Sequence, residues 1–166
     1  MPNRTPTAEQ SAEIQRQIDA LGPPPGEAWH PGDWPNRVCK EELGALPLLA
    51  NLIFTWALRP DGTVLCMDRD SLFHPTEPET DPLAIYAVLQ RAARESPVLQ
   101  PLVPDPPAGT RQCATCGGDG VYDVGDAGGE TRTVLCQRCD GFGWINSHDL
   151  PAAVSDPHRL SSEPPH

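Results

Sequence analysis

The feature that most constrains this chain is an eight-residue pattern that occurs twice in its C-terminal half. Cys113-Ala-Thr-Cys116-Gly-Gly118-Asp-Gly120 and Cys136-Gln-Arg-Cys139-Asp-Gly141-Phe-Gly143 both read Cys-x-x-Cys-x-Gly-x-Gly. Two residues between cysteines let one tight turn present both sulfurs to a common point, and a tetrahedral zinc ion takes four such ligands at about 2.3 Å. The gap between the two pairs falls in the class of paired zinc knuckles, about 15–20 residues. Four thiolates on one divalent cation leave the site doubly negative, so N–H donors must turn toward the sulfurs. Gly118, Gly120, Gly141 and Gly143 stand where left-handed torsions and close backbone approach permit that. The reading is one structural Zn2+ held by Cys113, Cys116, Cys136 and Cys139. The alternatives are two disulfides or metal-free thiols. The repeated spacing argues against both, as does the lack of an apolar run behind Met1-Pro-Asn-Arg-Thr-Pro6 that would make a secretory signal.

Between the pairs, Val121–Val124 and Thr131–Leu135 read as two short strands joined by a turn at Gly125–Gly129. Such a hairpin folds the second knuckle back beside the first. Three aromatic residues go with it: Tyr122, Phe142 and Trp144. The sequence leaves three destinations open for them, namely the module's own core, the rest of the protein, or exposure as a partner contact.

The motif resembles the repeat of the cysteine-rich zinc domain of DnaJ-type co-chaperones over roughly residues 111–146. That domain carries four copies and binds two zinc ions. Two copies here imply half a domain and one ion, with Cys113, Cys116, Cys136 and Cys139 in the ligand role. The family recruits a heat-shock chaperone ATPase through a His-Pro-Asp tripeptide in a J domain. The nearest segment here is His30-Pro31-Gly32-Asp33, with Gly where Asp is required and no basic helix before it. No J domain is read, and no recruitment of that ATPase is expected.

The remainder reads as α+β. Residues 1–27 form an N-terminal helix and a Pro-rich linker, 28–104 a small α+β domain, 105–146 a linker and the zinc module, and 147–166 a disordered tail. Thr7 and Gln10 fit a capping box ahead of Ile14, Ile18 and Leu21 at helical spacing. Trp29 and Trp34 read as packing anchors, and Lys40–Leu52 as a short helix interrupted at Pro47. Ile53–Leu58 and Thr63–Asp68 flank Arg59-Pro-Asp-Gly62 and read as a hairpin. Asp81 caps a helix with Pro82 at its first position and Ile85, Val88, Leu89 and Ala92 on its buried face; Ser96-Pro97 ends it. Cys39 and Cys66 read as core residues.

The net charge of −11 disfavours a phosphate backbone as partner. Within the module, Arg111, Arg132 and Arg138 face Asp119, Asp123, Asp126, Glu130 and Asp140. No Gly-x-Ser-x-Gly, phosphate-cradling Gly-x-x-x-x-Gly-Lys or His-Glu-x-x-His occurs, and a site closed by four cysteines has no position left for a substrate. The longest apolar stretch, Leu46–Leu58, is broken by Pro47 and Asn51 and is shorter than the ~20 residues of a membrane helix. The expectation is a cytoplasmic, non-catalytic zinc-binding accessory protein that contacts a protein partner, chaperone-like or adaptor-like. The alternatives are a thiol-disulfide enzyme or redox switch using the Cys-x-x-Cys pairs, and a nucleic-acid-binding finger.

Overall fold

The computed structural model describes residues 5–22, 34–51, 53–68, 77–125 and 128–148. The anchoring expected of the Trp29 and Trp34 side chains, the His30–Asp33 tetrapeptide and the segment 149–166 lie outside what is described. The chain is mixed α and β, with small antiparallel sheets, as its residue patterns predict.

Helix α1 spans Ala8–Ala20, and its capping box is present: Thr7 accepts from the Gln10 amide while the Gln10 side chain accepts from the Thr7 amide. Its narrow apolar stripe docks rather than frays. Ile14 and Ile18 are buried in the main core, and Ser11 Oγ donates to the Pro60 carbonyl at 2.7 Å.

The expected helix over Lys40–Leu52 is corrected by the structure. Helix α2 lies earlier, at Trp34–Glu41, and Leu46–Ala50 is strand β1. Pro47 lacks an N–H, which a helix interior cannot accept but an edge strand can. Strand β1 is such an edge, and its pairing register shifts between Pro47 and Leu49. The bulge brings Leu46 and Leu49 into the same core, although residues three apart on a regular strand face opposite ways.

Strands β2 (Phe54–Leu58) and β3 (Val64–Asp68) form the expected hairpin, closed by the Gly62 amide donating to the Arg59 carbonyl at 2.9 Å. The sheet order is β1-β2-β3. The outer edge of β3 is covered by residues 78–79, where the Glu79 amide donates to the Val64 carbonyl at 2.8 Å. The sheet is buried on both faces. One face carries Leu46, Leu49, Trp56, Leu58 and Val64 against α1 and α3; the other carries Ala57, Leu65 and Met67 against Val38 and Cys39 of α2.

Helix α3, Pro82–Glu95, starts at Asp81, whose side chain accepts from the Leu83 amide, and a 3-10 helix follows at Pro97–Leu102. Glu79 clamps the approach to α3. Its carboxylate accepts from the Thr80 and Asp81 amides and from the Trp56 indole N–H. Burial works to raise its pKa, but these hydrogen bonds outweigh burial and hold it below the ordinary range. The buried surface of α3 is wider than the sequence pattern suggests. Tyr86 is buried while Ile85 is only half-buried, because a second body packs against the helix from another side.

That second body is the knuckle module. Strand β4 (Thr110–Gln112) leads into the first knuckle and β5 (Val121–Gly125) leaves it; β6 (Thr131–Leu135) leads into the second and β7 (Trp144–Asn146) leaves it. Strands β4 and β7 pair, and so do β5 and β6. The β5–β6 hairpin was expected; the β4–β7 pair was not. Among the described residues, no helix is long and apolar enough to cross a membrane.

Candidate metal centre

The two knuckles face one another as near copies. The Cys113 amide donates to the Gly143 carbonyl, and the Cys136 amide to the Gly120 carbonyl, both at 2.9 Å. The Asp119 amide donates to the Cys116 carbonyl and the Phe142 amide to the Cys139 carbonyl. Each knuckle thus uses its last glycine to receive the first cysteine of the other. The repeat in the sequence becomes an approximate two-fold relation in space.

This exchange brings the backbones into contact, which explains the glycines. A Cβ on Gly120 would lie 2.0 Å from the Gly141 carbonyl oxygen, and one on Gly143 would lie 2.1 Å from the Gly118 carbonyl oxygen. Both residues also have φ near the left-handed region, +74° and +78°. Backbone rather than a flexible side chain stands in the way, so no larger residue fits.

The four sulfurs converge. Cys113 and Cys136 Sγ lie 3.8 Å apart, Cys116 and Cys139 Sγ 3.7 Å apart, and all four fall within 4.8 Å of one another. A regular tetrahedron with metal–sulfur bonds of about 2.3 Å has sulfur–sulfur edges of about 3.8 Å. Disulfide sulfurs stand at about 2.0 Å, and all six cysteines are free. The four cysteines form a cluster with Ile145, and none of their sulfurs is in open solvent, Cys116 being the most exposed at 8 %.

Donors are in place for the charge. The Gly120 amide donates to Cys116 Sγ at 3.3 Å and the Gly143 amide to Cys139 Sγ at 3.2 Å. Burial would raise the Cys113 thiol, yet hydrogen bonds led by the Cys116 and Thr115 amides bring it down to about 7. Burial prevails at Cys139, pushing that thiol up against the pull of the Gly143 amide, and also at Cys136, against the Cys139 thiol and the Arg138 amide. A cation at the centre favours the thiolate at all four positions, and the amides are already aimed to receive it. The residues present fit a bound metal ion.

The aromatic residues divide. Phe142 packs edge-to-face on Trp56 of the body, with ring centroids 5.0 Å apart, and joins the main core. Trp144 packs edge-to-face on Tyr86 of α3 at 5.4 Å. Tyr122 stays exposed, as does Val124 on the same face of β5. Sequence reasoning missed the body's half of this seam. Arg94 of α3 reaches Asp119 Oδ1 at 3.0 Å and the Gly118 carbonyl at 3.2 Å, and Leu49 Cδ1 lies 3.5 Å from where a Cβ on Gly141 would stand. No local pattern marks Arg94, Trp56 or Leu49 as neighbours of a knuckle.

The other two cysteines do not approach the site. Cys39 is buried under one face of the body sheet and Cys66 is half-buried on the other, so they do not pair. Burial pushes both thiols up to about 12, with the Glu79 charge adding to it at Cys66. Neither is an activated nucleophile.

Compared with known proteins, the chain matches no family model, no curated protein and no solved structure.

Proposed function

We propose that this protein is a non-catalytic zinc-binding accessory protein whose knuckle hairpin contacts a protein partner. The observation that carries the proposal is a buried cluster of four thiols within 4.8 Å of one another, two of its sulfur–sulfur distances near a tetrahedral edge, beneath a hairpin that leaves Tyr122 and Val124 exposed. Four soft sulfurs with no open position suit zinc in a structural role. Their burial supports that role over thiol-disulfide exchange, which requires a sulfur that a substrate disulfide can reach. The DnaJ-like motif supports a protein rather than a nucleic acid as partner, and so does the excess of carboxylates over arginines between Arg111 and Asn146.

The partner surface we assign is the outward face of β5 and β6, with Tyr122 opposite Val134 and Val124 opposite Arg132. A groove of about 460 Å³ between this hairpin and the end of α3, reached by Arg91, Arg94 and Tyr122, adjoins it. The test is a pull-down with the intact protein, with Cys136→Ser/Cys139→Ser, and with Tyr122→Ala/Val124→Ser, which keeps all four ligands. A partner held by the intact chain and lost by both variants supports the proposal. A partner held equally by all three would remove the module from the interaction.

A further inference from the structure

The contacts that join the module to the body come from residues two to five positions after a cysteine of the cluster. Gly118 and Asp119, which take Arg94, come just after Cys116; Gly141, beside Leu49, and Phe142, against Trp56, come just after Cys139, with Trp144 two residues beyond. Three of these residues also donate their amides to cysteine carbonyls of their own knuckle: Asp119 to Cys116, Gly141 to Cys136 and Phe142 to Cys139. Beneath them the module has little of its own to hold them. Its core cluster is the four cysteines and Ile145, and each of its sheets has two strands, which is marginal by itself in water.

The body differs. Ile14, Leu58, Val64, Val88 and Leu99 are fully buried, and they come from α1, both strands of the β2–β3 hairpin, α3 and the 3-10 helix. The core has its own helices and sheet without the module. Removing the ion therefore disorganises one side of the seam and leaves the other side folded.

We propose that metal occupancy is a latch on the body. With the ion bound, the second knuckle lies over an apolar strip made by Leu49, Trp56 and Tyr86; without it, the knuckle lets go and the strip is uncovered. The proposal rests on the zinc-centre reading above. It adds a conformational consequence: loss of metal converts a covered surface into one that binds apolar groups.

The experiment uses the full chain, purified with zinc, with metal content measured by native mass spectrometry before and after a chelator. Hydrogen exchange is followed in 46–58, in 110–146 and in α2, which packs on the opposite face of the sheet and serves as an internal control. Binding of an apolar fluorescent dye is read in parallel. Chelation is expected to raise exchange in 110–146 and, several-fold, in 46–58, to leave α2 unchanged, and to reverse when zinc is restored. Phe142→Ala, still carrying one zinc, is expected to bind several-fold more dye than the wild-type holoprotein without any chelator. Two results would overturn the latch: metal loss that deprotects 110–146 but leaves 46–58 unchanged, or deprotection of α2 in step with 46–58, which means the body unfolds as one unit. A chain that carries no zinc at the outset would overturn the zinc reading as well, and the native mass separates that outcome from the others.

Discussion

In the body, helices close on both faces of a three-stranded sheet, and its cohesion is spread over more than a dozen buried apolar side chains. In the knuckle module the same task falls to four sulfurs, one isoleucine and the backbone contact between paired glycines. Many side chains of moderate worth make a core that tolerates change at most single positions. A few positions, each fixed by backbone geometry, make a module that, on the proposed reading, either forms around a metal ion or does not. Structural zinc contributes on the order of 10–16 kcal/mol in small zinc-finger peptides, more than the whole stability of many domains. On the proposed zinc reading, the bulk of the module's cohesion among the described residues sits within 113–145.

This contrast is tested most severely at the glycines of closest approach. Gly143→Ala or Gly120→Ala sets a methyl group about 2 Å from a carbonyl oxygen of the facing knuckle. The knuckles must separate, and zinc affinity measured by competition with a chelator should fall at least ~100-fold, at the upper end of the usual range for a point change. The helices of the body should persist in circular dichroism. At Gly117 a Cβ meets nothing within 4 Å and only the left-handed torsion opposes it. There Gly117→Ala should cost about 1–2 kcal/mol, with zinc retained.

The converse substitution lies in the body. Leu58 is fully buried in the main core, so Leu58→Ala should lower the stability of the body by about 2–5 kcal/mol in a urea titration. The variant should still bind one zinc per chain. If zinc stoichiometry fell with Leu58→Ala, the two regions would not be separable as argued.

The smallest effect is predicted where the repeat is imperfect. Asp140 occupies the position that Gly117 holds in the first knuckle, and it adopts φ +49°. Asp140→Gly should relieve that strain and stabilise the holoprotein by less than about 1 kcal/mol, read as a slightly higher thermal midpoint. A lower midpoint would mean that the Asp140 side chain has a role its backbone does not reveal.

What the sequence made legible follows the range of the interactions involved. The Thr7–Gln10 box, the Arg59–Gly62 turn, the Asp81-Pro82 helix start and the spacing within each knuckle act over a few residues, so their residue types carry the signal. Strand β1 was misread because Pro47 breaks a helix and an edge strand tolerates it; only the neighbouring hairpin shows which situation applies. The β4–β7 pair joins two three-residue segments more than thirty positions apart, too short for a periodic pattern. The destinations of Phe142 and Trp144 depended on Trp56 and Tyr86, which nothing near the knuckles announces. The cluster of four cysteines was readable because the knuckle repeats, and the seam was not because it occurs once.

The most direct test of the central claim is X-ray absorption at the zinc edge on the full chain, together with its metal content. The account predicts one zinc per chain with four sulfur neighbours at about 2.3 Å. A metal-free protein whose Cys113, Cys116, Cys136 and Cys139 are joined in disulfides would contradict it, as would a zinc ion bound mainly by nitrogen or oxygen.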